Sequence, residues 1–181
     1  MCRLFGFRSV LKSQVHQSLI GADNALALQS EQHPDGWGVA YYLAGAPHLV
    51  KSVKSAIDDQ LFQRVSGVVS SQTVVAHIRK ATFGSPTIIN THPFQHGRWV
   101  FAHNGNIKAF AQHRAAILNA IAPDLRPSIL GQTDSEHVFY LLLTHIAQVT
   151  ELHAVDHQVE TITQAALSCQ KTLEGIVGPY N

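Results

Sequence analysis

The 181-residue sequence predicts an α+β fold, an antiparallel sheet with helices packed on it. Two observations carry this. Segments with the alternation or the β-branched and aromatic content of strands fall before residue 104, and patterns with helical spacing dominate after residue 107. A third concerns the core: 45% hydrophobic and 14% charged residues suit a packed globule and not a disordered chain. The length suits one domain, taken as residues 1–181.

Each element has its own signal. Cys2-Arg3-Leu4-Phe5-Gly6-Phe7 alternates apolar and small residues and reads as a strand. Val15, Leu19, Ala22 and Leu26 recur at helical spacing, which predicts a helix over residues 15–28. Residues 37–43 are apolar and aromatic, hence a strand, and Ala44-Gly45-Ala46-Pro47 turns it into a shorter one over residues 48–53. Strands over residues 73–78 and 98–103 follow. The polar stretch 80–97 between them holds Gly84, Pro86 and Pro93 and reads as a long loop, a length usually functional or mobile. Helical patterns cover residues 107–121, 133–148 and 155–173. Thr133-Asp134-Ser135-Glu136 matches a capping box, with Thr133 as N-cap and Glu136 reaching back. Asp134 then occupies the first helical position, where a carboxylate complements the helix dipole. Val155, Val159, Ile162, Ala166, Cys169 and Leu173 form one apolar stripe that places Cys169 in the core. Trp37 and Trp99 read as core aromatics on strands.

Composition excludes several functions. Thirteen Lys+Arg against twelve Asp+Glu leave a formal charge of +1, too small to attract nucleic acid or an anionic membrane broadly. The longest apolar stretch, residues 138–149, is broken by Thr144, His145 and Gln148 and does not read as a membrane span. No apolar signal region follows the start Met, so export is not expected. Cysteines at positions 2 and 169 alone cannot make a disulfide framework, and a cytoplasmic, reducing location is the expectation. The twelve histidines are scattered, with no His-x-His or Cys-x-x-Cys arrangement, so neither a metal nor a cofactor is expected; a histidine-rich metal binder is a remote reading.

Cys2 is the residue with chemistry. Initiator Met is generally removed before a small side chain, and removal would leave Cys2 with a free α-amine beside its thiol. Such an amine titrates near 7.7–8.0 and a thiol near 8.5, so about neutral pH the amine can take the thiol proton. Nucleophile and base then come from one residue. A retained Met1 would remove that base.

Further segments follow Cys2 in order: His33-Pro34-Asp35-Gly36-Trp37-Gly38, Ala76-His77-Ile78-Arg79-Lys80-Ala81-Thr82, Asn90-Thr91-His92-Pro93-Phe94, Ala102-His103-Asn104-Gly105 and the Thr-Asp-Ser-Glu helix start. With them the chain resembles the class II glutamine amidotransferases of the N-terminal-nucleophile hydrolase superfamily. The opening Met-Cys-Arg-Leu-Phe-Gly, the His-Pro-Asp-Gly-Trp-Gly turn and the Thr-Asp-Ser-Glu helix start are most similar to the small stand-alone branch without a synthase domain. The resemblance runs from Cys2 to about Leu143.

The resemblance implies a four-layer αββα sandwich of antiparallel sheets. In this branch further strands usually follow the last helix, so the expectation is a domain truncated at its C-terminus. It implies Cys2 as nucleophile, with the Asn104 side chain and the Gly105 N–H as oxyanion donors; Gly there would let the backbone approach closely and take positive φ. Arg79 would hold the substrate α-carboxylate, because a guanidinium fork bonds both oxygens. Asp134 would hold the α-ammonium, with Thr82 beside the head group. His92, His103 and Asp35 would support the loop and the oxyanion strand; Asp35 serves its Asp-Gly turn equally well. The implied activity is amide hydrolysis on glutamine or another γ-glutamyl compound, a small-molecule substrate, with an ammonia-accepting partner enzyme left open. The rival reading is an inactive glutamine-binding or regulatory module.

Overall fold

The computed structural model describes residues 2–81 and 84–178. The chain forms two compact units, Met1–Gly105 and Asn106–Asn181.

In the first unit, β1 (Arg3–Gln14), β2 (Trp37–Leu43), β3 (Ala46–Ser52) and β4 (Ser70–Ile78) make an antiparallel sheet in the order β1-β4-β2-β3. Ile78 pairs with Arg3 on one side and Trp37 on the other. That register brings three chain segments to one end of the sheet: the residue before β1, the turn before β2 and the exit of β4. The β2–β3 turn is two residues, Ala44 and Gly45, both at positive φ (49° and 78°), which matches the twist of a tight hairpin.

Period-two alternation sorts the sheet's side chains. Trp37 and Val39 of β2 and Val74, Ala76 and Ile78 of β4 face one core, closed by Phe62 and Val65 of α2 (Gln60–Val68) and by Val15, Leu19, Leu26 and Ala27. The Trp37 ring meets Phe62 edge-on at 4.9 Å, and its indole N–H donates to Asp59 Oδ2 at 3.1 Å. Asp59 is also the N-cap of α2, accepting from the Leu61 N–H at 3.0 Å. His77 of β4 belongs to the opposite face. There its ring lies 4.3 Å from His92, which lies 4.6 Å from Phe94 of a second antiparallel sheet, β5 (Phe94–His96) and β6 (Trp99–Phe101).

The second unit packs α3 (Phe110–Ala120), α4 (Asp134–Ala147) and α5 (Val159–Val177) against one another. Thr133 Oγ1 accepts from the Glu136 N–H at 3.3 Å, and the Glu136 carboxylate reaches back to the N–H groups of Leu130 (3.1 Å) and Gly131 (2.7 Å). Among the described residues no helix is long and apolar enough to cross a membrane.

Several expectations are corrected. The helix over 15–28 is broken: β1 runs to Gln14, Gln17–Gly21 makes one wide turn, and only Leu26–Gln29 (α1) is α-helical. Gly21, Asp23 and Asn24 explain the break, since glycine loses most entropy in a helix and Asx side chains compete for the backbone. The apolar residues of that pattern, Val15, Leu19 and Leu26, are still buried. The helix α2 had no sequence signal assigned to it. The loop 80–97 contains β5, and the strand over 98–103 shrinks to Trp99–Phe101. Trp99 is half-buried, not a core residue. In the last helix Ala165, Cys169 and Leu173 are buried, but Val155 and Val159 are 69% and 71% exposed and Ala166 is exposed too. Val155 precedes α5, so helical spacing does not apply to it.

Candidate active site

Cys2 sits at the sheet end where β4 leaves, immediately before β1. Its Sγ lies between the two backbone polar groups of Lys80: the Lys80 N–H donates to it at 3.3 Å and the thiol donates to the Lys80 carbonyl at 3.5 Å. Its carbonyl accepts from Asn104 Nδ2 at 2.9 Å and from Arg3 Nη1 at 3.3 Å. The residue is half-buried.

The segment 79–81 that cradles the thiol is fastened by the turn before β2. The Arg79 N–H donates to the Gly36 carbonyl at 2.8 Å, the Asp35 N–H donates to the Arg79 carbonyl at 3.1 Å, and the Asp35 carboxylate accepts from the Ala81 N–H at 2.8 Å. Gly36 adopts φ +121°, a conformation few other residues would take. The Arg79 guanidinium is almost fully buried and donates to the carbonyls of Ser85 (3.1 Å) and Gly84 (3.0 Å). Burial lowers its pKa, while Asp35 and Cys2 favour its charge. A buried cation with an oriented fork is suited to an anion's oxygens.

His103 and Asn104 follow β6, and Gly105 comes next in the chain. Gly105 is not in the left-handed region, contrary to the expectation. A β-carbon there would meet the tip of the His103 ring as it now stands. His92 and His77 are buried with their rings tilted 31° to each other, and neither ring nitrogen of His92 has a hydrogen-bond partner. Burial pushes the His77 pKa down to about 4, with Arg79, His103 and His33 acting in the same direction and the His103 backbone opposing them. His92 is held well below the usual imidazole range by burial and then by His77, His103, Lys51 and Arg79. Both imidazoles are therefore neutral at pH 7. Among the described residues no group of three or more His, Cys, Asp or Glu side chains is arranged to hold a metal ion.

The structure thus brings Cys2, Asp35, Arg79 and Asn104 to one place. Asp134 belongs to the second unit, where Oδ2 accepts from the Ile107 N–H (2.7 Å) and Oδ1 from the Ser135 N–H (2.7 Å) and hydroxyl (3.3 Å). Thr82 lies outside the described residues. Sequence reasoning missed His77, Arg3 and the backbone of Lys80. His77 had a signal, since Ala76-His77 stands in a strand beside Arg79 and period two opposes it to the core residues Ala76 and Ile78. The Lys80 contact uses backbone atoms and leaves no mark on residue type.

Comparison with known proteins gives the family and the fold. The family model described as glutamine amidotransferases class-II matches residues 1–176. The chain is similar to a "probable glutamine amidotransferase" of Saccharomyces cerevisiae, 32% identical over 160 residues, covering 79% of this chain and 45% of that protein. It is similar also to the γ-glutamyl-hercynylcysteine sulfoxide hydrolase of Mycobacterium tuberculosis, 31% identical over 117 residues, covering 58% and 49%. The chain spans about half the length of the curated relatives it matches. Among solved structures, a class-II glutamine aminotransferase domain protein from Silicibacter pomeroyi shares the fold at TM-score 0.64 and 22% identity, over 99% of this chain and 67% of that one. The α+β fold with two antiparallel sheets and flanking helices is the one these neighbours share, and the chain belongs to the class-II glutamine amidotransferases.

Proposed function

We propose that the protein is an N-terminal-cysteine amidase acting on glutamine or another γ-glutamyl amide. The observation that carries this reading is the seat of Cys2, whose carbonyl is bonded to Asn104 and whose sulfur is cradled by the residue after Arg79.

After Met1 removal, the Cys2 α-amine takes the thiol proton. The thiolate attacks the side-chain amide carbon and a C–S bond forms. An amide nitrogen carries two hydrogens; one from Asn104 is spent on the Cys2 carbonyl, and the second serves the oxyanion together with the Gly105 N–H. The tetrahedral adduct collapses, the C–N bond breaks, and the ammonium at Cys2 returns its proton to the leaving nitrogen. A γ-glutamyl thioester remains. Water, deprotonated by the same amine, releases the acid and restores the thiol. Arg79 holds the substrate α-carboxylate, with Thr82 alongside. Asp134 takes the α-ammonium, an assignment resting on the family motif. Asp35 keeps segment 79–81 in register with the nucleophile, and His92 and His103 support the loop and the oxyanion strand. Ammonia is either released or passed to an acceptor enzyme.

The test has two arms. Intact mass should show a chain beginning at Cys2, and an electrophilic glutamine analogue should label that residue stoichiometrically. Glutamate release should then be found with glutamine, glutathione or a related γ-glutamyl amide. Glutamine binding without labelling would make the chain a binding module instead, and retained Met1 would remove the base.

A further inference from the structure

Cys2 precedes the first residue of β1, and with Met1 gone it is the first residue of the chain. Terminal residues fray unless they are tied down, yet an attacking sulfur must be placed to within a fraction of an ångström. Besides the bonds between its sulfur and the Lys80 backbone, Cys2 is tied by two side-chain donors to its carbonyl. Asn104 supplies one, and the other is the guanidinium of Arg3 through Nη1 at 3.3 Å. Arg3 is itself held: its Nε donates to Gln29 Oε1 at 2.8 Å, and Gln29 Nε2 donates to the Asn24 carbonyl. The chain of contacts therefore runs from the α1 segment through Gln29 and Arg3 to the nucleophile. We propose that Arg3, tethered by Gln29, is a positioning residue that fixes the backbone of Cys2 for attack. This rests on the reading of Cys2 as the nucleophile.

The same guanidinium brings charge to this end of the sheet. His33 is buried there, and after burial itself Arg3 is the first of the cations that lower its pKa. A terminal amine at Cys2 would belong to the residue whose carbonyl Arg3 bonds at 3.3 Å, with Arg79 as a second cation beside Cys2 and Asp35 as the opposing charge on Arg79. Nearby positive charge disfavours an ammonium ion. Arg3 thus keeps the amine in its basic form closer to neutral pH, beyond holding the carbonyl.

Three variants of the full chain separate these effects: Arg3→Met, Arg3→Lys and Gln29→Leu. Each is assayed for glutamate release between pH 5 and 9 and for labelling of Cys2 by an electrophilic glutamine analogue. Arg3→Met should move the acid limb of kcat/KM upward by about half a unit or more and lower kcat roughly tenfold, with KM little changed. Arg3→Lys keeps the charge and should keep the wild-type midpoint while losing kcat. Gln29→Leu should do the same. An Arg3→Met enzyme with wild-type kcat and midpoint overturns the proposal. Should Arg3→Met fail to fold by thermal melt, the other two decide, and wild-type kcat in both overturns it. A wild-type protein that is neither labelled nor active overturns the amidase reading itself, and this inference with it.

Discussion

The two cysteines show how one residue type divides by surroundings. Cys169 is buried in α5, and burial pushes its thiol up to about 11. At pH 7.5 its thiolate is a minute fraction, and only thiolate reacts. Iodoacetamide should therefore modify Cys2 and spare Cys169 in the folded protein. Peptide mapping that finds both modified at similar rates contradicts the packing of α5. Asn104→Ala should still be labelled at Cys2 but lose about a hundredfold or more in kcat, the usual cost of one oxyanion donor. Near-wild-type turnover would take Asn104 out of that role. Arg79→Lys keeps the charge but loses the planar fork. The expected result is a KM for the γ-glutamyl substrate raised about tenfold or more with a smaller change in kcat, and steady-state kinetics would read it. At this scale residue type and motif singled out Cys2, Arg79 and Asn104, which the structure brings together. His77 was not singled out, because a buried imidazole's environment comes from the strand and loop that cover it.

Among the elements, α4 was the most legible, and local chemistry explains why. Its start is written in four consecutive residues, and the structure places Thr133 Oγ1 on the Glu136 N–H. Thr133→Ala should destabilise the protein by about 1 kcal/mol, the typical value of an N-cap, measured by urea unfolding at neutral pH. An unchanged urea midpoint would mean that other bonds already satisfy that helix end. The hairpin β2–β3 was legible for the same reason, its turn being local. The segment 15–28 was not. Its apolar spacing correctly marked the buried residues, but Gly21 and the Asx pair broke the backbone that spacing alone would have joined. The short helix α2 was missed although Asp59 caps it; nine residues give a periodic pattern little length in which to show.

For the whole molecule, the buried His77–His92 pair sets a pH dependence. Both pKa values are depressed in the folded state, so the unfolded chain binds more protons below the ordinary imidazole value of 6.5. The stability this represents is fully present above pH 6.5 and is lost as pH falls toward the folded values. For His77, with a folded value of about 4, the loss is on the order of 3 kcal/mol. Urea midpoints at pH 7.5, 5.5 and 4.5 should fall in that order, and His77→Phe should lessen the fall. A profile that is the same in wild type and His77→Phe would show that the pair is not the source.

Local sequence determined the strands that build the main sheet, the cap of α4, the core position of Cys169 and the residue types of the candidate site. Those features depend on side-chain chemistry and on periodicities within a few residues. Tertiary structure alone decided which groups meet. Asn104 reaches the Cys2 carbonyl across a separation of 102 residues, Lys80 receives the sulfur with its backbone, and the His103 ring fills the space beside Gly105. Strand register and loop packing set these contacts, and both arise from hydrogen bonds and burial between distant segments that no local pattern encodes.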